Sequence, residues 1–216
     1  MGKLFILSAP SGTGKTTVAQ KLLSELADLE RVVTYTTRKP RPYEQPGIDY
    51  VFISKEEFEK KIEEDFFLEY ANVYGNFYGT PKKEIERITQ IEGKDALLVI
   101  DVQGAFKVKG LMPNAITIFL LPPSLEELKR RIEARGYRDE NLEKRLSIAR
   151  DEIPCARFFD YIVINDFLND AVEKVKSIII SYRAERERML KEIERFRLNK
   201  EIVNILKGGK CYVKET

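Results

Sequence analysis

A chain of 216 residues is long enough for one α/β domain carrying a smaller insertion. Its 37 Lys and Arg against 35 Asp and Glu lack the basic excess of a dedicated nucleic-acid binder. The complete absence of histidine excludes imidazole base catalysis and Ser-His-Asp chemistry, but not phosphoryl transfer onto an acceptor that is already an anion. No apolar run approaches the roughly 18 residues of a membrane span. Strand-like sequence begins at once, where a signal peptide would sit. Cys155 and Cys211 are too few and too separated for a disulfide framework or a metal site, and Cys155 reads as a small buried residue. The expectation is a soluble, cytoplasmic protein with no nucleic-acid or membrane partner.

Along the chain, the apolar run Leu4–Leu7 reads as a buried strand and is followed by Ala9-Pro10-Ser11-Gly12-Thr13-Gly14-Lys15-Thr16. Val18, Ala19, Leu22, Leu23 and Leu26 then repeat at helical spacing. Strand, glycine-bearing loop and helix form the context of a phosphate-binding loop, whose inward N–H groups and helix N-terminus cradle a polyphosphate. Lys15 would reach the outer phosphates, Thr16 would hold Mg²⁺, and Thr17 continues the phosphate-binding segment. Ala9 stands where the first Gly is usual, which a negative φ tolerates.

From about Val32 to Pro81 the rhythm breaks. Pro40, Pro42, Pro46 and Gly47 stiffen a loop bearing Arg38 and Arg41, with Tyr50 shortly after. Two arginine forks and a phenol make a receptor for a second phosphate. A short helix capped by Ser54 and Glu57 follows, then a hairpin from Tyr70 to Tyr78 turning at Gly75-Asn76.

Further continuous apolar runs at Ala96–Ile100, Ile116–Leu121 and Tyr161–Ile164 suit buried parallel strands. Asp101 ends the first of them, where an acid facing the metal's water shell or the acceptor belongs. Ser124 and Glu127 form a capping box opening a helix through about Arg135. A second helix runs from near Asp139 to Cys155 and a long one from about Asp170. Arg130, Arg131, Arg135, Arg138 and Arg145 cluster around Gly136. From Arg183 the chain is a charged helix with apolar Met189, Ile193 and Phe196, a face that could meet the core or a second copy of the chain. The fold class is therefore α/β: a phosphate-loop parallel sheet flanked by helices, with an inserted mixed α+β subdomain and, by the family resemblance described below, a helical lid. The boundaries read as 1–33 with 81–182 for the core, lid at about 126–150, 34–80 for the insertion and 183–216 for the extension.

The run from Thr36 to Phe52, read with the phosphate loop, closely resembles the guanylate kinase family. The match covers residues 3 to about 182 and holds at every defining position of that run. The resemblance implies transfer from ATP to GMP and dGMP with Mg²⁺. It implies Arg38, Arg41, Tyr50 and Tyr78 on the GMP phosphate, and Thr34, Glu69, Thr80 and Asp101 around the guanine. A carboxylate such as Glu69 accepts from guanine N1–H and the 2-amino group together, a donor pair adenine lacks. Lys15, Arg38 and the lid arginines Arg131, Arg135 and Arg145 would neutralise the transferring group. Asn165, beside Asp166, falls on the adenine side. Family members often carry an acid two residues before Asp101, where this chain has Val99. Two alternatives stay open: a kinase of the same architecture for another nucleoside monophosphate or a phosphosugar, and a non-catalytic binding module.

Overall fold

The computed structural model describes residues 2–42, 44–73, 75–134, 136 and 139–184, without the side chains of 139–141. It divides at Val175 into two compact units, the second beginning at Lys176. Strand β1 (Leu4–Ser8) is buried along its whole length, as a parallel strand covered on both faces requires. Helix α1 (Lys15–Glu25) follows and turns Val18, Ala19 and Leu22 inward. Next come β2 (Leu29–Arg31) and β3 (Thr34–Thr36), then β4 (Tyr50–Phe52) and α2 (Lys55–Glu63). The hairpin is β5 (Phe67–Val73) with β6 (Asn76–Pro81), and α3 (Lys82–Glu86) continues as a π-helical turn, Arg87–Ile91. Strand β7 (Asp95–Val99), α4 (Val102–Leu111), β8 (Ile116–Leu121), α5 (Leu125–Glu133) and α6 (Asp139–Glu152) follow. A 3₁₀ segment, Ile153–Phe158, leads to β9 (Tyr161–Ile164) and α7 (Leu168–Arg183).

Among the described residues the strands form two sheets. The larger is parallel, in the order β2-β7-β1-β8-β9, and the smaller is mixed, in the order β4-β3-β6-β5. Pairing of Leu7 with Val99 and of Ser8 with Phe119 aligns the carboxyl ends of β1, β7 and β8. The loop at 9–14 and Asp101 therefore leave the sheet side by side, at the edge where ligands bind in open α/β sheets. In the smaller sheet a register shift between Phe67 and Glu69 sets Glu69 opposite Thr80. Behind it, Phe58 of α2 is fully buried and stacks on Phe67 and Phe77 with ring centres 4.5 and 5.3 Å away.

Several local expectations are corrected. β2 goes unread in the sequence because it has no apolar run: only Leu29 is buried, since the strand sits at the sheet edge and pairs on one side alone. β9 occupies the opposite edge, so Ile162 and Ile164 are half-exposed and only Val163 is buried. The hairpin turns one residue early, since Asn76 already pairs with Val73. Ser124 accepts from the Glu127 N–H at 3.0 Å, but the reciprocal half of the box is missing because the Glu127 carboxylate is taken by Arg130 and Arg131. Helix α5 ends at Glu133, α6 ends at Glu152, and α7 starts at Leu168. Cys155 is half-exposed rather than buried. The expectations for Arg135, Arg138 and the apolar positions of the charged extension lie outside the described residues.

Candidate active site

The loop between β1 and α1 owes its path to two glycines. Gly12 and Gly14 hold φ of 94° and 100°, and Gly14 serves as the N-cap of α1. Both positions are also crowded. A Cβ on Gly12 would lie 2.6 Å from Ile132 Cγ1 of α5, and one on Gly14 2.6 Å from Asn165 Nδ2. Ala9 is not among the residues at positive φ, so its side chain fits the usual first-glycine position. The first turn of α1 contains no acidic residue, which leaves the positive end of the helix for an anion. Lys15 Nζ donates to the Ile100 carbonyl at 2.8 Å and to the Ala9 carbonyl at 3.4 Å. Arg145, from α6, donates to Ser11 Oγ at 2.9 Å.

A cavity of about 420 Å³ opens above this loop and continues onto the smaller sheet. On the loop side it is lined by residues 9–12 and 14–16, together with Arg145. On the sheet side, all eight residues expected around the acceptor line it: Thr34, Arg38, Arg41, Tyr50, Glu69, Tyr78, Thr80 and Asp101. Thr13, Thr17, Arg131 and Asn165 do not line it. Thr13 is buried, and its carbonyl accepts from Asn165 Nδ2 at 2.6 Å. Arg131 points away from the cavity: it donates to the carbonyls of Asn165 and Asp166 at 2.9 and 3.1 Å and to Glu127 at 2.6 Å. It joins α5 to the chain after β9, and both to the back of the phosphate loop.

At the far end Glu69 is buried and accepts from Thr80 Oγ1 at 2.7 Å. Burial raises its pKa, opposed by the Thr80 hydroxyl and reinforced by Asp101. Asp101 caps α4, accepting from the Gly104 N–H at 2.9 Å, so it is both a helix cap and a cavity wall. A Cβ on Gly104 would lie 3.2 Å from Ile100 Cδ1, a tight contact, and 3.4 Å from Glu69 Oε2, so α4 packs directly against the Glu69 carboxylate.

Nearer the middle, one of the two expected arginine forks already holds a carboxylate. Arg38 is held end-on by Glu44, with Nη2 and Nη1 donating to Oε1 and Oε2 at 2.8 and 2.9 Å. Burial works against the Glu44 charge, but the Arg38 fork and the Arg41 N–H outweigh it and keep its carboxyl below the usual range. Arg31 likewise grips Asp49 at 3.2 Å, with both side chains nearly buried, and fixes the loop that delivers Tyr50. Reading of the sequence missed Glu44, although it stands three residues after Arg41 in the quoted run.

It also missed Glu152. This carboxyl ends α6 and lines the cavity two turns after Arg145. Burial pushes it up to about 7; Lys15 draws it back, and Asp101 and Asp151 push it further. No apolar pattern marks it, and only the fold brings it beside Lys15.

The donors available to a cation are few. Thr16 is exposed in the first turn of α1, Asp101 and Glu152 face the same cavity, and Val99 is a nearly buried apolar wall. No group of three or more acidic, Cys or His side chains that could hold a metal ion is found among the described residues. Such a set cannot cage an ion, and it fits Mg²⁺, which keeps several waters and leans on substrate phosphates.

The family model described as Guanylate kinase matches residues 1–182. A guanylate kinase of Oceanobacillus iheyensis is 47% identical over 195 residues, spanning 90% of this chain and 94% of that one. One of Nitrosospira multiformis is also 47% identical, spanning 90% and 91%. The crystal structure of guanylate kinase from Anaplasma phagocytophilum aligns with a TM-score of 0.75 at 31% identity, covering 97% of this chain and 96% of that one. A glycine-bearing loop at a helix N-terminus and a cluster of arginines and tyrosines line one cavity, and the family model and the relatives that match this chain nearly end to end place it in the guanylate kinase family.

Proposed function

We propose that this chain transfers the γ-phosphoryl group of ATP to GMP and dGMP, giving ADP and the guanosine diphosphate. The observation that carries this reading is the single cavity lined at one end by the phosphate loop and at the other by the buried Glu69–Thr80 pair. The distance between those ends is bridged by the acceptor-side arginines and tyrosines. A nucleotide seated with its base at Glu69 thus presents its phosphate toward Lys15.

The chain's work in this reaction is positioning and charge neutralisation. Residues 9–16 hold the donor phosphates through backbone N–H groups, and Lys15 exchanges its carbonyl partners for phosphate oxygens. Mg²⁺ would be held by Thr16 and phosphate oxygens and, through water, by Asp101; bound there, it offsets charge on the phosphates. Arg145 enters from α6 beside Ser11, where it can pair with the transferring group. Arg38, Arg41, Tyr50 and Tyr78 align the acceptor phosphate, which is already an anion and needs no base. Thr34, Glu69 and Thr80 read the guanine edge, and Asn165 supports the loop from behind. Closure of the segment around 126–150 and of the 34–80 subdomain over the substrates would exclude water.

³¹P NMR of ATP and GMP with the full chain tests the reaction directly. Equal amounts of ADP and GDP are expected with Mg²⁺ and neither with a chelator in excess. Inorganic phosphate in place of GDP would overturn the reading.

A further inference from the structure

The acceptor-side arginines reach the cavity with a carboxylate already seated between them. Arg38 donates from Nη1 and Nη2 to Glu44, from Nη1 also to the Lys39 carbonyl at 2.7 Å, and from Nε to the Tyr78 hydroxyl oxygen at 3.1 Å. A guanidinium has five N–H bonds. Four are committed, so Arg38 cannot clamp a phosphate with two parallel bonds while Glu44 stays in place.

Glu44 is well anchored. Its side chain is 7% exposed, Oε2 also accepts from the Arg41 N–H at 2.8 Å, and Oε1 lies 3.8 Å from Arg41 Nη1. The guanidinium it grips lies 5.4 Å over the Tyr50 ring and 5.8 Å over that of Phe52. Carboxylate and rings fix Arg38 in both position and plane.

The consequence falls on Tyr78. Its oxygen accepts from Arg38 Nε, so its own proton must point elsewhere. Tyr78 lines the cavity, and among the described residues nothing accepts that proton. We propose that Glu44 is a positioning residue: by fixing Arg38 it turns the Tyr78 hydroxyl into a hydrogen-bond donor aimed at the acceptor phosphate. Glu44 also offsets one of the two arginine charges, so the receptor holds the phosphate dianion with donors rather than with excess positive charge. An unprotonated phosphate, which only accepts, is the group this receptor suits. The inference rests on reading this end of the cavity as the acceptor-phosphate site.

The test is a double-mutant cycle in steady-state kinetics at saturating ATP, with Glu44→Gln, Tyr78→Phe and the pair. Each single change is expected to raise the KM for GMP about tenfold with kcat within about threefold. The double variant should be no worse than the weaker-binding single, because both changes break one relay. Multiplied effects, or a KM for GMP that falls in Glu44→Gln, would overturn the inference. A merely structural role would spread to the donor side, so ATP affinity by calorimetry should stay within twofold, and a parallel loss of ATP binding also overturns it. Should Glu44→Gln not fold, Glu44→Asp retains the charge but shifts Arg38, and the same non-additivity with Tyr78→Phe is required. Wild-type failure to use GMP would instead fail the functional reading, a separate outcome.

Discussion

Glu152 shows how a single side chain sets a pH dependence. Its carboxyl is raised from the ordinary 4.5 to about 7, chiefly by burial. The folded state therefore binds a proton that the unfolded chain releases between those values. Stability is unaffected below the unfolded pKa, falls as pH rises through the interval, and the loss is complete above about 7. The penalty is on the order of 3 kcal/mol. Glu152→Gln removes it, so thermal denaturation should find the variant more stable than wild type at pH 8, with the difference nearly gone at pH 4.5. A constant difference across that range would show that the carboxyl is not held neutral by the fold. Residues of this kind were hidden in the sequence. Lys15, Arg38 and Tyr50 lie in runs whose spacing carries their chemistry, whereas Glu152 is one acid among many until α6 sets it beside Lys15. Glu44 was hidden differently: a carboxylate three residues after Arg41 reads as a surface charge until its two bonds to the Arg38 guanidinium are seen. Arg131 shows the reverse, since its place in an arginine cluster said nothing about the backbone carbonyls that hold it.

Elements were legible where one physical requirement governs the whole run. β1 and β7 are buried along their whole length, and apart from Ser8 and Asp95 at their ends both are apolar, as strands covered on both sheet faces require. β2 and β9 sit at the edges, where pairing on one side imposes no such demand, and there the pattern misleads. The hairpin of β5 and β6 carries its own constraint at Gly79. A Cβ there would lie 2.7 Å from Phe67 Cδ1 and 2.8 Å from Phe58 Cζ, in a ring layer that has little room to shift. Gly79→Ala is expected to destabilise the chain by about 1–3 kcal/mol, as overpacking does. Because Tyr78 and Thr80 flank it on β6, the KM for GMP should rise while ATP affinity holds. Chemical denaturation with GMP and ATP titrations checks both halves of that expectation.

At the scale of the molecule, the topology explains why two distant segments share one site. The parallel register brings the phosphate loop and Asp101 out of the same sheet edge, and the register shift in β5 aims Glu69 back toward them. The phosphate loop alone implies only a bound polyphosphate, and the signature run implies a second anion. That both face one cavity is a property of the fold, and the proposed chemistry follows from it: donor and acceptor phosphates would meet beside Lys15 without a base. Base selection at Glu69 is the claim on which the account turns. The most direct measurement is kcat/KM for GMP, AMP, UMP and CMP with ATP and Mg²⁺, in a coupled assay that reads ADP release. The account predicts GMP preferred by at least about 10³-fold over the other three, as a buried carboxylate left unpaired requires. Comparable activity with AMP or the pyrimidine nucleotides would contradict it.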